Sequence, residues 1–186
     1  MKLGLISDTH IPSMGPTPPP QVIEAFRGVD LILHAGDIYI HDCIEWLERI
    51  APVEATTSWF PGRGEGVPRT SAPITVEAAG RTIGLVHKLE LTPLGDDVWP
   101  GAIAHGYPPH ASIPSELSEI FGKPVDIVVF GYTHEAMIET HQGILFINPG
   151  SPTMVKQTRT LGTVATLNLT APTPQARIIS LTDIES

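Results

Sequence analysis

Short apolar runs recur along the chain, and each ends on residues that carry chemistry. Leu3 to Ser7 is apolar, starts near the first residue and stops at Asp8, as a buried strand does. A proline-rich loop over 12–20 follows, and then "PPPQVIEAFRG" has a proline entry, Val22, Ile23 and Phe26 at helical spacing, and an exit at Gly28. The order repeats. "DLILHAGD" predicts a second strand stopping at Gly36 and Asp37, "HDCIEWLERI" a helix carrying Ile44, Trp46 and Leu47 that ends before Pro52, and "VEATT" a third strand. Strands alternating with helices predict a parallel, doubly covered sheet with ligands beyond the carboxyl ends of its strands.

The rhythm changes after "FPGRGEGVPRTSA", a glycine, proline and arginine loop over 60–72. "PITVEAAGRTIGLVH" predicts two short strands around a turn at Ala79 and Gly80, and a long loop then runs to about residue 112. "IPSELSEIFG" predicts a helix capped by Ser112 with Pro114 in its first turn, and "VDIVVF" the next strand. The tail alternates as antiparallel strands do, with turns at Gln142-Gly143 and near Pro172 to Pro174. The pattern predicts one domain over 1–186, with a parallel half, an antiparallel half and helices outside.

Composition narrows the function more than the fold. The net charge is −9 with the histidines neutral, and lysines and arginines form no block, so nucleic acid is a poor candidate partner. Part of that acidity suits carboxylates that hold cations. Cys43 is the lone cysteine, which excludes an internal disulfide and cysteine-cluster metal sites. MKLGLISDTH lacks the hydrophobic region of a signal peptide and no apolar stretch approaches membrane-spanning length, so a cytoplasmic protein with no membrane partner is expected.

The chemistry gathers at the strand ends. "VVFGYTHEA" over 128–136 ends an apolar run with Gly131 and then presents Tyr132 and His134, two residues apart and so expected on one side. Asp8 and His10 end the first strand as D-x-H, and Asp37 ends the second as G-D. Any one of these alone reads as a loop polar, but four at strand ends form a constellation if those strands are neighbours. Two carboxylates and two imidazoles suit a divalent ion of the Mn, Fe, Co or Zn type better than calcium, which prefers oxygen alone.

With these blocks assembled, the sequence resembles the calcineurin-like metallophosphoesterases, in particular their small bacterial and archaeal phosphodiesterases. The resemblance rests on D-T-H at 8–10, "HAGDI" at 34–38, His87 in "GLVHK", "FGYTHEA" at 130–136 and "INPGS" at 147–151, in that order. It implies an α/β (α+β) fold, a four-layer αββα sandwich of two mixed β-sheets flanked by helices. It also implies phosphate-ester hydrolysis by metal-activated water. Carried over by position, Asp8, His10 and His134 would hold a first ion, Asp37 would bridge two, and His87 would hold the second. Manganese is the expected ion, with Fe, Co, Zn or Ni as alternatives, and Asp37 and His87 are the residues expected to be catalytic.

The chain departs from the family at the second ion. The family's G-H-T-H reads G-Y-T-H here, so Tyr132 stands where an imidazole would bind, and a phenol of pKa about 10 is a poor ligand at neutral pH. The family's G-N after the third strand has no counterpart in "TTSWFPGRGEG", and its H-G-H is His87, Lys88 and Leu89. Glu65, His41, His105 and His110 are candidates to rebuild that site. Arg63, Lys88 and Tyr132 are candidates to contact substrate phosphate in place of the lost cation. His34 reads as a satisfied core residue or as one that supports the site by orienting Asp37, and Asn148, Gly150 and Ser151 resemble the family's tight turn near the site. Two functions follow: a phosphoesterase acting on a small phosphorylated substrate through an altered or mononuclear site, or a catalytically impaired phosphoesterase fold kept for binding or scaffolding, as in the retromer subunit that resembles this family.

Overall fold

The computed structural model describes residues 1–56 and 72–185. Two five-stranded sheets pack face to face. The first has the order β12-β11-β1-β2-β3, built from β1 (Lys2–Ile6), β2 (Leu31–His34), β3 (Val53–Ala55), β11 (Thr163–Asn168) and β12 (Gln175–Ser180). The second has the order β4-β5-β6-β8-β7, built from β4 (Ile74–Ala78), β5 (Arg81–Leu85), β6 (Ile127–Val129), β7 (Met137–His141) and β8 (Ile144–Asn148). Both sheets are mixed: β1, β2 and β3 run parallel, as do β5, β6 and β8, and the remaining pairs are antiparallel.

The alternation of side chains along each strand builds the layers. Leu3, Leu5 and Leu33 of the first sheet meet Ile83, Leu85, Ile127, Val129 and Ile147 of the second in a shared inner core. The intervening positions face outward. Ile6, Ile32 and Val164 pack with Val22 of α1 (Gln21–Ala25) and with Cys43 and Leu47 of α2 (His41–Glu48). On the other side Val128 and Phe146 pack with Ile103 of α3 (Ala102–Gly106) and with Ile113 and Leu117 of α4 (Ile113–Phe121). The result is helix, sheet, sheet, helix. It differs from a doubly covered sheet in that each sheet carries helices on one face alone and turns its other face to its partner.

Most expected elements are present. Ser112 accepts a hydrogen bond from the Ser115 amide at the start of α4, which stops at the left-handed Gly122, and Gln142 and Gly143 both take positive φ in the β7–β8 turn. Trp46 is partly buried in the core behind the first sheet. The loop over 88–112 carries more order than its sequence announces, with a 3-10 turn at Thr92–Leu94 and α3. A small hairpin, β9 (Met154–Val155) and β10 (Thr158–Arg159), also escapes the sequence pattern. Among the described residues no helix is long and apolar enough to cross a membrane.

Candidate metal centre

The parallel pairs β1–β2 and β5–β6 bring four strand ends to one edge, two from each sheet. The candidate residues therefore converge across the seam between two sheets, not along a single one. Backbone hydrogen bonds sew the seam: Asp8 N to Gly36 O and His10 N to Asp37 O join the first two loops, and Gly131 N to His87 O joins the other two. The "INPGS" turn ties both pairs together. Asn148 Nδ2 donates to Gly131 O and to Thr133 Oγ1, each at 3.0 Å, and Ser151 Oγ donates to Asp8 O at 2.7 Å.

Three loops share one backbone device. Asp8 and His10, Asp37 and Tyr39, and Tyr132 and His134 all have positive φ, between 51° and 72°, with one ordinary residue between the members of each pair. Left-handed backbone is uncommon for residues with a side chain, and such strain concentrates where function needs it. The i, i+2 spacing therefore works through paired left-handed kinks, not through extended strand geometry.

Two close approaches show why glycine ends two of the runs. A Cβ on Gly131 would lie 2.5 Å from Asp8 Oδ2 and would also strike Ser7, so only glycine lets β6 pass behind that carboxylate. A Cβ on Gly36, which has φ of 109°, would fall within 2.5 Å of the His87 ring. Both glycines are imposed by the side chains packed against them.

Asp8, His10, Asp37 and His134 each offer a ligand atom, and these atoms lie within 4.8 Å of one another. His134 Nε2 is 3.3 Å from Asp8 Oδ1 and 3.2 Å from His10 Nε2, while His10 Nδ1 is 3.7 Å from Asp37 Oδ2. Asp8 is fully buried: its Oδ2 accepts from the Tyr132 amide at 3.1 Å, but Oδ1 has no aligned donor among the described residues. A buried carboxylate oxygen without a hydrogen bond is costly. A cation in the cluster removes that cost, so the residues present fit a divalent ion. Burial pushes the Asp8 carboxyl up, and the His134 and His87 imidazoles outweigh it, holding the group below the usual carboxylate range. For His134 burial works downward, and the Asp8 carboxylate prevails and raises it. His10 is lowered, first by burial, against the pull of Asp37 and Asp8.

His87 sits across Asp37 from this group. Its Nδ1 is 2.9 Å from Ala35 O and so carries the proton it donates, which turns Nε2 toward Asp37 Oδ1 at 3.6 Å and Asp8 Oδ1 at 4.0 Å. The two Asp37 oxygens thus face different imidazoles, His10 and His87. Tyr132 projects its ring edge-on to His87, with centroids 5.6 Å apart, and is 42% exposed. Lys88 Nζ lies 4.9 Å from the Tyr132 ring centre and 3.1 Å from both Glu90 and Asp97, carboxylates that push its pKa up to about 12. Its charge is already answered.

The candidates for rebuilding a second site do not gather there. His41, His105 and His110 are exposed, and His41 faces Glu45 on its own helix. Glu65 and Arg63 lie outside the described residues. His34 is bonded to the loops that carry Asp8 and Asp37. It is fully buried, accepts from the Gly36 amide through Nδ1, and lies 3.2 Å from Thr9 Oγ1 through Nε2, so it fixes both loops from behind. Sequence reasoning missed Tyr39, whose hydroxyl is 2.6 Å from His10 Nδ1. Its signal was the spacing: Tyr39 follows Asp37 by two, as His10 follows Asp8.

A four-layer αββα sandwich with a carboxylate and imidazole cluster at the seam defines a metallophosphoesterase-like protein. The chain belongs to the calcineurin-like phosphoesterase superfamily, whose domain model matches residues 1–171. It is 33% identical over 160 residues to a probable metallophosphoesterase of Methanothermobacter thermautotrophicus, covering 85% of this chain and 81% of that protein. Among solved structures it resembles a single mutant of Vps29 from Entamoeba histolytica, with a TM-score of 0.64, 18% identity and coverage of 96% and 98%. It also resembles a novel archaeal phosphodiesterase, with a TM-score of 0.61, 22% identity and coverage of 96% and 100%.

Two outcomes follow from this geometry. Gly131→Ala is expected to weaken Mn²⁺ binding in calorimetry and to lower unfolding free energy by about 1–3 kcal/mol, the usual cost of overpacking; unchanged values would mean the seam yields freely. His34 concerns acid stability. Burial depresses its pKa from 6.5 to about 3, so between those values the unfolded chain binds a proton that the folded chain refuses. Stability due to this group therefore falls as pH drops below 6.5, by about 1.4 kcal/mol per unit where the difference is complete. Urea unfolding of His34→Gln at pH 7 and pH 5 should show a shallower loss than wild type, and parallel losses would contradict the assignment.

Proposed function

We propose that the protein is a metal-dependent phosphoesterase that holds one divalent ion, Mn²⁺ foremost, on Asp8, His10, Asp37 and His134, and hydrolyses a phosphodiester or small phosphomonoester. The observation that carries this reading is the convergence of four ligand atoms within 4.8 Å of one another at the fully buried Asp8 carboxylate, whose Oδ1 lies 3.3 Å from His134 Nε2 without an aligned hydrogen bond. Such an ion supplies Lewis acidity toward a phosphoryl oxygen and makes water a nucleophile at neutral pH. The chain's own residues do the rest. The Tyr132 amide fixes the Asp8 carboxylate, and Asn148 and Ser151 hold the loops that carry the cluster. His87, its Nδ1 committed to Ala35 O, presents the Nε2 lone pair on the far side of Asp37, where it would share a weak second ion with Asp37, or, as an imidazolium, would donate to the substrate phosphate.

Tyr132 sets the limit. Its ring rests against His87, where the family motif has a second imidazole, and removes one ligand of a two-ion site. Losing a stabiliser of that kind costs on the order of 10²- to 10³-fold in rate. Slow turnover is the expected signature. The same ring favours a second reading, a phosphoesterase fold kept for binding or scaffolding.

Elemental analysis after Mn²⁺ loading, paired with hydrolysis of bis-p-nitrophenyl phosphate and p-nitrophenyl phosphate, separates the two. We expect one ion per chain and slow turnover that disappears in Asp37→Ala. Tyr132→His should raise the stoichiometry toward two and the rate with it. Bound metal with no turnover above buffer, unchanged by Tyr132→His, would favour the scaffold, and no bound metal would overturn the assignment of the cluster.

A further inference from the structure

Tyr39 belongs to none of the sequence blocks that carry the family resemblance, yet it makes a short hydrogen bond into the cluster. Its hydroxyl is 2.6 Å from His10 Nδ1, and its ring meets the imidazole edge-on at 5.2 Å between centroids. The backbone is bent to allow this, with φ of 71° at Tyr39 repeating the kinks that deliver Asp8, His10, Asp37 and His134. A bulky residue adopts that conformation rarely, and here it turns the phenol back toward the loop of β1. Two independent features, the hydrogen bond and the kink, converge on one contact.

The direction of this hydrogen bond and the tautomer of His10 are linked. His10 Nε2 is the atom turned to His134, 3.2 Å from its Nε2, whereas Nδ1 faces the phenol, with Asp37 beyond. Asp37 Oδ2, at 3.7 Å, is farther from Nδ1 than the phenol oxygen. If the phenol instead donated to Nδ1, the proton would sit on Nε2 and point at His134, blocking the lone pair a metal needs.

We propose that Tyr39 is a positioning residue for the metal centre: its oxygen accepts a hydrogen bond from His10 Nδ1–H and so keeps the Nε2 lone pair free on the side of His134. This rests on the metal-binding reading above. Partners of ligating histidines fix tautomer and ring orientation, and their loss typically costs 10- to 100-fold in metal affinity.

The test uses the full chain and Tyr39→Phe, which keeps the ring and removes only the oxygen. Long-range ¹H–¹⁵N spectra of the metal-free wild type should show His10 protonated at Nδ1, and Tyr39→Phe should move it to a mixture of tautomers. Calorimetry with Mn²⁺ should show Kd raised about 10- to 100-fold in the variant. A wild-type His10 protonated at Nε2, or a variant with unchanged tautomer and unchanged Kd, would overturn the proposal. Should Tyr39→Phe not fold, the wild-type tautomer alone decides. A wild type that binds no Mn²⁺ would overturn the metal reading instead, and the tautomer comparison would still judge the role of Tyr39.

Discussion

The Asp8 carboxylate is the constraint on which the site depends. It is fully buried at the seam of two sheets, held at one oxygen by a backbone amide from the opposite sheet, and faced at the other by His134 and His87. Burying an ion in this way is unfavourable unless it is paired and hydrogen-bonded. Much of the local structure answers that demand: the glycine at 131, the "INPGS" turn that grips Asp8 O and Gly131 O, and the neutral His34 behind Thr9. The cluster is thus built into the joint between the sheets, where loss of one neighbour disturbs both.

The centre is asymmetric for a physical reason. On one side of Asp37 two imidazoles and a second carboxylate close around a volume of metal-site size. On the other, His87 is accompanied by a phenol whose face carries Lys88, itself tied to Glu90 and Asp97. That row of aromatic, ammonium and carboxylates is satisfied within itself.

Much of the fold was legible because each strand ran apolar to a chemical stop. Leu3 to Asp8, Leu31 to Asp37 and Ile127 to His134 announced both the element and the residue it delivers. The division into two sheets was not legible from periodicity, since a parallel run reads the same whether its neighbours lie beside it or across a core; the family resemblance supplied it. The paired left-handed kinks were also hidden, because nothing in D-T-H, D-I-Y or Y-T-H spells positive φ when no glycine is used. Tyr39 was lost with them, its spacing to Asp37 visible but unread. His34 was recognised as a core residue, but its partners, Thr9 and Gly36, depend on loop contacts that no sequence spacing fixes.

The most direct measurement is anomalous diffraction from crystals grown with Mn²⁺. The account predicts one strong peak bounded by Asp8, His10, Asp37 and His134, with the Tyr132 ring still against His87. A peak elsewhere, or none in that cluster while the ion is bound in solution, would contradict it.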